Sequence, residues 1–371
     1  MSAFGNRARW VTQPLVDVAT LQRGYDLPVQ DRTTGTHPIF AANGSVGLHG
    51  SAKCKGPGVV TGRSGTIGRV HFVEEDYWPL NTSLYVKDFH GNHPKWVYYM
   101  LQSFGLEQYS QGAGVPTLNR NLVHCEPVNV PPLEEQRRIA AILDQAETLR
   151  TQRRAALVQL DSLTQSIFLD MFGDPVTNPK GIRKAALVDV AEISTGSTPG
   201  RGADGYYDGS IPWVKTTEVS GGVIRDTEEK LTDAGLRAIR GKLHPVDSIL
   251  VAMYGQGQTR GRCALLGIEA SCNQACGVIK PNQSFLPSFM FVQLSLAYVR
   301  LRALGRGGNQ ENLNLQLLGS FEVLLPPLPL QQTFATRIQA IASLKATYRT
   351  ALTELDALFA SLQQRAFAGE L

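Results

Sequence analysis

Residues 133–172 read LEEQRRIAAILDQAETLRTQRRAALVQLDSLTQSIFLDMF and contain neither glycine nor proline. Hydrophobic side chains recur in this segment at alternating spacings of three and four, which predicts one face of a long α-helix. Forty residues at about 1.5 Å each would span roughly 60 Å. An isolated helix with such a face is unstable in water, so the face must be buried. The predicted coiled-coil seam of this helix comprises Ile139, Ile142, Leu149, Leu160 and Leu163.

The chain contains this segment twice. A set of identical residues recurs at a constant offset of 195, without a gap, across more than fifty positions, which indicates one duplicated structural unit. The matching pairs include Asn119 and Asn314, Pro131 and Pro326, Leu160 and Leu355, and Phe172 and Phe367. The second helix has its own predicted seam in the same register, formed by Ile341, Leu344, Leu355, Leu358 and Leu362.

The two helices need partners for their seams. The simplest burial is of each helix against the other, as an antiparallel coiled-coil pair related by an internal pseudo-twofold axis. The alternative is that each helix packs only on its own globular neighbour. We favour the pair, because the apolar face extends farther than one small domain could cover.

A mixed globular region precedes each helix. Short β-prone runs, such as residues 58–60, 69–73 and 83–86, alternate with glycine, asparagine and proline turns, and a helix is predicted over residues 96–109. The sequence therefore predicts an α+β fold, in which two mixed α/β domains are separated by two long antiparallel helices. The predicted boundaries are 1–130 for the first globular domain, 131–173 for the central helix, 174–325 for the second globular domain and 326–371 for the C-terminal helix.

The second globular region is longer than the first. The stretch LVDVA at 187–191 matches LVDVA at 15–19 with an offset of only 172, and the offset reaches 195 by Asn314. Helices and proline hinges have kept their length, whereas the globular regions differ in length and sequence. A constant frame with variable heads is expected when the heads recognise different targets.

Composition narrows the class of protein. With 43% hydrophobic and 18% charged residues, no membrane-length apolar run and no signal-like N-terminus, the chain is expected to be a cytoplasmic globular protein. Its net charge of +4 permits a polyanionic partner without requiring one. Five cysteines without CxxC spacing are interpreted as reduced thiols.

No catalytic or metal-binding motif is evident. The chain has no GxxxxGK[ST] loop, no Rossmann glycine fingerprint and no HExxH among its seven histidines. Cys272 and Cys276 lie four apart, but no neighbouring histidine or cysteine completes a zinc set. We therefore assign no catalytic and no metal-binding residue. Two alternatives to a non-catalytic DNA-binding protein stay open. One is a stand-alone DNA methyltransferase or nuclease with an unrecognised site, and the other is a scaffold whose helices bind only protein.

Two glycine-rich loops offer polar groups at equivalent places in the two copies. They read TGRSGTIG at 61–68 and YGQGQTRGR at 254–262. Arginine suits guanine edges and phosphates, and glutamine or asparagine can pair with adenine. The alternative is a pair of tight turns with solvated side chains. The candidate DNA contacts are Arg23, Asn43, Lys53, Lys55, Arg63, Ser64, Thr66 and Asn81 in the first copy, and Arg201, Lys215, Thr216, Tyr254, Gln256, Gln258, Thr259, Arg260 and Arg262 in the second.

These features resemble the specificity (S) subunit of type I restriction–modification systems. The likeness lies in PPLEEQRRI at 131–139, PPLPLQQ at 326–332, FLDMFGDP at 168–175 and the order head, helix, head, helix. One departure is Pro329-Leu330 where the first copy has Glu134-Glu135, which weakens the acidic first turn of the second helix without altering the architecture.

The resemblance implies a non-catalytic DNA-binding subunit that serves in defence against phage. Two target-recognition domains would each read one half of a split, asymmetric site in double-stranded DNA, and the antiparallel helices would fix their separation. Two methyltransferase (M) subunits would bring S-adenosylmethionine, and motor-nuclease (R) subunits would bring ATP and magnesium. No cofactor is expected on this chain.

Overall fold

We describe the protein from a computed structural model, which covers residues 10–112, 114–202, 205–255, 258–306 and 312–371. The chain forms two compact units. The first comprises Met1–Ala156 together with Tyr348–Leu371, and the second comprises Leu157–Thr347. Each unit therefore contains one globular region and half of each long helix. We call the globular regions the first head (residues 10–130) and the second head (residues 184–325).

The first head is built from short strands and short helices. Its elements are β1 (Val11–Pro14), α1 (Leu15–Val18), β2 (Thr20–Arg23), β3 (His37–Ala41), β4 (Gly44–His49), β5 (Gly58–Gly62), β6 (Val70–Val73), β7 (Trp78–Pro79), β8 (Ser83–Asp88), α2 (Pro94–Ser103), β9 (Ser110–Gln111), β10 (Thr117–Leu118), α3 (Arg120–His124) and β11 (Pro127–Val130). The three β-prone runs predicted from the sequence are confirmed as β5, β6 and β8.

Two sheets and two strand pairs, β1 with β11 and β9 with β10, organise the described part of the first head. The main sheet has the order β2-β8-β5-β6 with antiparallel neighbours, and a second sheet has the order β4-β3-β7. β5 is buried at all five positions, because it lies between β8 and β6 and carries the small and β-branched residues that such a position favours. β1 pairs with β11, so that the start and the end of the head lie together.

The helix predicted over residues 96–109 is shorter than expected. α2 begins at Pro94, where proline suits the first helical turn, and ends at Ser103. Gly105 adopts φ 66°, a left-handed conformation that glycine tolerates and that stops the helix. A separate 3-10 turn, Leu106–Tyr109, follows.

The segment without glycine or proline, residues 133–172, is confirmed as one long helix. α4 runs from Leu133 to Phe172 without interruption. Glu134 and Glu135 lie in its first turn, where negative charge is favourable near unpaired backbone N–H groups. At the other end Gly173 has φ 75° and its backbone N–H donates to the carbonyl of Leu169 at 2.8 Å, which closes the last turn.

The second head repeats the plan of the first with additions. Its elements are β12 (Lys184–Ala186), α5 (Leu187–Val190), β13 (Ile193–Thr195), β14 (Tyr207–Val214), β15 (Val223–Ile224), β16 (Glu229–Leu231), α6 (Asp233–Ala238), β17 (Ile249–Ala252), β18 (Cys263–Leu266), β19 (Ser271–Cys272), β20 (Cys276–Ile279), α7 (Pro287–Leu296), α8 (Tyr298–Ala303), α9 (Leu315–Gly319) and β21 (Glu322–Leu324). α10 (Leu328–Ala368) follows.

The strand order confirms the duplication. The main sheet of the second head has the order β13-β20-β17-β18-β15, which repeats β2-β8-β5-β6 and adds β15 at one edge. The pair β12-β21 repeats β1-β11, and the parallel contact of β14 with β19 repeats that of β3 with β7. β15, β16 and α6 lie within the segment where the offset between the two copies grows. The extra length of the second copy is therefore an insertion around an otherwise constant sheet.

The two long helices pack antiparallel within each unit. In the first unit Arg150 Nε lies 2.6 Å from a carboxylate oxygen of Asp356. In the second, Lys345 Nζ lies 2.7 Å from Asp161, and the rings of Phe168 and Phe334 are 5.7 Å apart. Residue numbers thus rise along α4 as they fall along α10. In the described part of the chain, neither these nor other helices are long and apolar enough to cross a membrane.

A buried glutamine joins each long helix to its head. The side-chain carbonyl of Gln136 accepts from the backbone N–H of His93 at 2.8 Å, and its amide donates to the carbonyl of Pro131 at 3.0 Å. Gln331, 195 positions later, accepts from Leu286 N–H at 2.8 Å and donates to the carbonyl of Pro326 at 2.8 Å. Each glutamine thus ties its proline hinge to the start of α2 or α7.

Candidate nucleic-acid interface

The loop between β5 and β6 of the first head is held by backbone hydrogen bonds. Arg63 N–H donates to the carbonyl of Thr82 at 2.9 Å, and Leu118 N–H donates to the carbonyl of Arg63 at 2.8 Å. Gly65 has φ 88° and its N–H donates to Pro116 O at 2.9 Å. Because the loop backbone is fixed on two sides, the side chains that it carries are presented from a defined position.

Three arginines meet in one open cleft beside this loop. The cleft has a volume of about 420 Å³ and is lined by Arg23, Arg63, Leu84, Gln111, Thr117, Leu118, Asn119 and Arg120. Arg63 Nη1 donates to the carbonyl of Asn81 at 3.0 Å, and Arg120 Nη1 donates to the carbonyl of Leu21 at 3.4 Å. Arg23 lies 3.9 Å from Asp26 and is half exposed. Within the described ranges, Arg63 and Arg120 form no ion pair, so their charge is available to an anionic partner.

Sequence reasoning identified Arg23 and Arg63 but missed Arg120. Arg120 opens α3, directly after Asn119, whose side chain caps the helix by accepting from Asn121 N–H at 3.0 Å. Asn314 caps α9 in the same way through Leu317 N–H at 2.8 Å. The repeated asparagine was visible in the sequence and marked this turn as part of the duplicated frame.

The other candidates of the first head lie at different places. Asn43 is exposed on the turn between β3 and β4, and Ser64 and Thr66 are half-buried in the β5–β6 loop. Asn81 donates to the carboxylate of Asp26. None of these four lines the arginine cleft.

Two lysines of the first head have partners of their own. Lys53 lies over the rings of Tyr25 and Trp78, with Nζ 5.9 and 5.1 Å from the ring centroids. Lys55 Nζ is 2.6 Å from Asp76, and this hydrogen bond lowers the pKa of the Asp76 carboxyl below its ordinary value. Lys55 nevertheless remains almost fully exposed. Both lysines are outside the arginine cleft.

The equivalent loop of the second head, between β17 and β18, has the same backbone anchor. Leu313 N–H donates to the carbonyl of Met253 at 3.0 Å, as Leu118 does to Arg63. Arg262 Nη2 donates to Oε1 of Gln258 at 3.0 Å, and the Gln258 carbonyl accepts from the hydroxyl of Tyr298. The loop is therefore tied to α8 as well as to the sheet.

The side chains of this loop differ in exposure. Tyr254 is 40% exposed, Gln258 is exposed, and Thr259 and Arg260 are half-buried. Arg260 Nε is buried and has no hydrogen-bond partner in the described part of the protein. Gln256 lies outside the described residues. The loop thus carries Tyr254, the guanidinium of Arg262 bonded to Gln258, and the guanidinium of Arg260, whose Nε has no partner in the described part. The cleft of the first head instead gathers three arginines.

The remaining candidates of the second head are engaged by acidic residues or buried. Arg201 makes a two-pronged contact with Glu229, at 2.7 and 3.3 Å, and Lys215 Nζ lies 2.6 Å from Glu228 and 3.1 Å from Glu229. These hydrogen bonds raise the pKa of both basic groups and lower that of Glu229. Thr216 is buried and donates to Oδ1 of Asn273 at 2.9 Å. All three residues therefore have hydrogen-bond partners within the second head itself.

The predicted seam residues divide into three groups by exposure. Ile139 and Ile341 are buried; Ile142, Leu160, Leu355 and Leu362 are half-buried; Leu149, Leu163, Leu344 and Leu358 are 40–49% exposed. Arg153, which interrupts the apolar face, stacks its guanidinium 4.2 Å from the ring centroid of Tyr348. The assignment of these residues to a coiled-coil seam stays a prediction.

The thiols and histidines form no metal centre in the described residues. No group of three or more His, Cys, Asp or Glu side chains is placed there to hold an ion. All five cysteines are free, and burial raises the pKa of the Cys263 thiol to about 12, which leaves it unreactive at neutral pH.

Two heads of the same strand order, each with a polar loop at the same place, define a protein built from one duplicated unit. The type I restriction modification DNA specificity domain matches residues 8–159 and 179–355. The chain therefore belongs to this family of type I specificity subunits.

Individual relatives are distant in sequence. The type I restriction enzyme MjaIX specificity subunit of Methanocaldococcus jannaschii is 20% identical over 269 residues, which are 67% of this chain and 62% of that protein. The chain thus spans less than two thirds of that relative.

Solved structures share the fold. The S subunit of a type I restriction–modification system from M. genitalium matches with a TM-score of 0.64 at 14% identity, covering 97% of this chain and 96% of that one. A chain from a study of complex assembly and conformational transition of the type I R-M system matches with a TM-score of 0.60 at 15% identity, covering 99% and 100%.

Proposed function

We propose that the chain is the DNA sequence-specificity subunit of a type I restriction–modification complex. It reads a bipartite, asymmetric site in double-stranded DNA, with one head on each half-site, and makes or breaks no bond itself. The observation that carries the proposal is the duplication. The specificity-domain family matches both halves of the chain, and both halves place polar and basic side chains on the same interstrand loop.

The charge of the first head supports DNA as the ligand. Arg63 and Arg120 lie in one cleft without a carboxylate partner in the described part, and Arg23 is only weakly paired. Guanidinium groups bind phosphate oxygens and guanine edges through paired N–H donors. Arg63 stands on a loop fixed by backbone hydrogen bonds, so we assign it to base recognition, and Arg23 and Arg120 to the phosphate backbone.

The differences between the heads support an asymmetric site. The frame is common to both, but Arg63 and Arg120 have no matching free arginine pair in the second loop, which instead offers Tyr254, Gln258 and Arg262. Different donors and acceptors read different bases. Two unlike heads therefore recognise two unlike half-sites.

The long helices set the distance between the half-sites in this proposal. Segments 1–130 and 174–325 are the target-recognition domains, and 131–173 and 326–371 are the spacers. Two methyltransferase subunits dock on the chain and bring S-adenosylmethionine, and motor-nuclease subunits bring ATP and magnesium. The chain holds no cofactor, and the complex works in the cytoplasm.

Radiolabelled S-adenosylmethionine tests the proposal directly. We expect methyl transfer to duplex DNA only when the chain is mixed with its methyltransferase partner, and sequence-dependent protection of DNA by the two together. Methyl transfer by the chain alone would instead identify a self-contained enzyme. Failure to bind any DNA at any salt concentration, with the partner present, would leave only a protein scaffold.

A further inference from the structure

A polar cavity of about 220 Å³ opens in the second head, away from the β17–β18 loop. Its walls come from the edge strand β13, from the segment that follows α6, and from the end of β20. The segment after α6 ends at the backbone bridge of His244 to Ala270, which has a counterpart in the bridge of Cys54 to Tyr77 in the first head. The cavity therefore lies beside a part of the duplicated frame.

Basic groups dominate this cavity. Arg240, Lys242 and Lys280 line it, and Glu192 is its carboxylate. Lys280 Nζ is hydrogen-bonded to Glu192 at 2.5 Å, which holds the pKa of Glu192 below its ordinary value, and the charge of Lys242 acts in the same direction. Arg240 and Lys242 form no ion pair within the described ranges, so the cavity carries an excess of two positive charges.

Two buried polar atoms in the cavity walls lack partners. His244 is only 4% exposed and its Nδ1 has no hydrogen-bond partner in the described part of the chain. Ser194 Oγ is buried and unpartnered in the same way. Both residues line the cavity. A buried donor left without an acceptor costs about 1–3 kcal/mol, so such atoms usually mark a position that a ligand or water completes.

The backbone fixes the basic side chains at the cavity mouth. Arg240 has φ 47°, a left-handed conformation that is uncommon outside glycine, and its N–H donates to the carbonyl of Arg237 at 3.0 Å. The next residue, Gly241, donates to Leu236 O at 3.0 Å, which closes the C-terminal end of α6. His244 is then held by a two-way backbone bridge to Ala270.

We infer that this cavity is a phosphate-binding site in which Arg240 and Lys242 neutralise the anion while His244 and Ser194 donate hydrogen bonds to its oxygens. On the proposed function, the ligand is a backbone phosphate of the DNA bound by the second head. The same chemistry would accept a free phosphate ion. In either case the site contributes affinity without reading base sequence.

Salt-dependent DNA binding by the full chain together with its methyltransferase partner shows whether the ligand is a DNA phosphate or a free phosphate ion. We expect Arg240→Ala and Lys242→Ala each to weaken binding about two- to fivefold, equally for specific and unrelated duplexes. Each variant should also reduce the slope of log K against log salt by about 1. Arg237→Ala, which removes an exposed arginine of α6 outside the cavity, is the matched control and should change neither quantity.

Thermal stabilisation by inorganic phosphate is the second test of the site. Phosphate should raise the melting temperature of the full chain more than sodium chloride of equal ionic strength, and Arg240→Ala should abolish the difference. Glu192→Gln removes the opposing carboxylate and should strengthen phosphate binding about two- to fivefold, a gain that misfolding could not produce.

The outcomes distinguish this inference from the proposed function. A smaller salt slope in the variants assigns the site to the DNA backbone. Phosphate stabilisation with an unchanged slope assigns it to a free anion. If the chain with its partner binds no DNA but phosphate still stabilises it, the proposed function fails and the site stands. If DNA binds with the same slope in every variant and phosphate has no effect, the site is overturned and the proposed function is untouched.

Discussion

The main sheets of the two heads have the same core strand order, but the heads differ in whether their basic residues have acidic partners. In the first head Arg63 and Arg120 face a common cleft with no carboxylate partner in the described residues. In the second head Arg201 and Lys215 share Glu229, and Arg262 is bonded to Gln258. Two heads with the same strand order therefore differ in their basic side chains. The named arginines of the first head have no acidic partner in the part of the chain that the structure describes, whereas Arg201, Lys215 and Arg262 of the second head are bonded to side chains within the head.

The comparison separates the features that both copies keep from the loop side chains that differ between them. The strand order and the helix-capping role of Asn119 and Asn314 recur in both copies, and the buried glutamines Gln136 and Gln331 recur with the same bonding. Loop side chains and the insertion around α6 do not recur. Backbone pairing and buried hydrogen bonds tolerate little change, whereas exposed loop residues can vary without loss of the fold.

Lengthening both helices should have the largest effect. A heptad inserted after Ala156 in α4 and after Thr347 in α10 adds about 10.5 Å to each and keeps the same face, because seven residues are close to two turns. We expect the gap between half-sites to grow by about three base pairs at 3.4 Å per pair, with both half-sites unchanged. Methylation of duplexes with varied gaps measures this. A changed half-site sequence at an unchanged gap would contradict the spacer role of the helices.

Removing a junction glutamine should destabilise only its own unit. Gln136→Ala leaves the buried groups at the start of α2 unpaired, at a cost of about 2–3 kcal/mol, and Gln331→Ala should do the same at α7. Hydrogen exchange should accelerate at His93 in the first variant and at Leu286 in the second. The exposed Gln332→Ala is the control. Equal acceleration at both sites in either variant would show that the two junctions are not independent.

Loop arginines should act on separate half-sites. Arg63→Ala should cost about 1–3 kcal/mol on the first half-site alone, and Arg260→Ala a similar amount on the second. Arg201→Ala should cost less than about 1 kcal/mol, because Glu229 already neutralises that guanidinium. Binding to duplexes mutated in one half-site at a time measures each effect. Uniform loss on unrelated DNA would reassign Arg63 and Arg260 to phosphate contacts.

As the pH falls, the first unit should lose stability before the second. This effect should be smaller than those of the substitutions above. Burial, followed by nearby basic residues, lowers the pKa of His71, His93 and His124 in the first unit from 6.5, whereas His244 is the histidine so affected in the described second unit. A folded-state pKa below the unfolded value gives stability that is complete above about pH 6.5 and is lost as the pH falls through the folded value.

His124 isolates one part of this acid effect. Its Nε2 accepts from Leu21 N–H at 3.0 Å, which requires the neutral ring. His124→Gln keeps an acceptor but cannot titrate, so the acid dependence of unfolding should become shallower between pH 7 and 5. Urea denaturation across that range measures it. An unchanged or steeper dependence would show that His124 does not contribute.

Sequence reasoning recovered the frame because the frame obeys local rules. The heptad spacing and the absence of glycine and proline predicted the long helix α4, and the repeat predicted that the structural unit is duplicated. The predicted helix ran past Gly105, whose left-handed backbone (φ 66°) follows the last turn of α2. The arginine cleft was recovered only in part, since Arg120 meets Arg63 through a contact between distant segments. The pairing of Arg201 and Lys215 with Glu229 likewise depends on tertiary neighbours that spacing does not reveal.

Methylome sequencing of cells that express this chain with its partner methyltransferase tests the central claim most directly. Two unlike heads reading separate half-sites predict methylated bases in a single motif of two different specified sequences interrupted by a gap of fixed length. A continuous or palindromic motif, or methylation without any motif, would contradict the account.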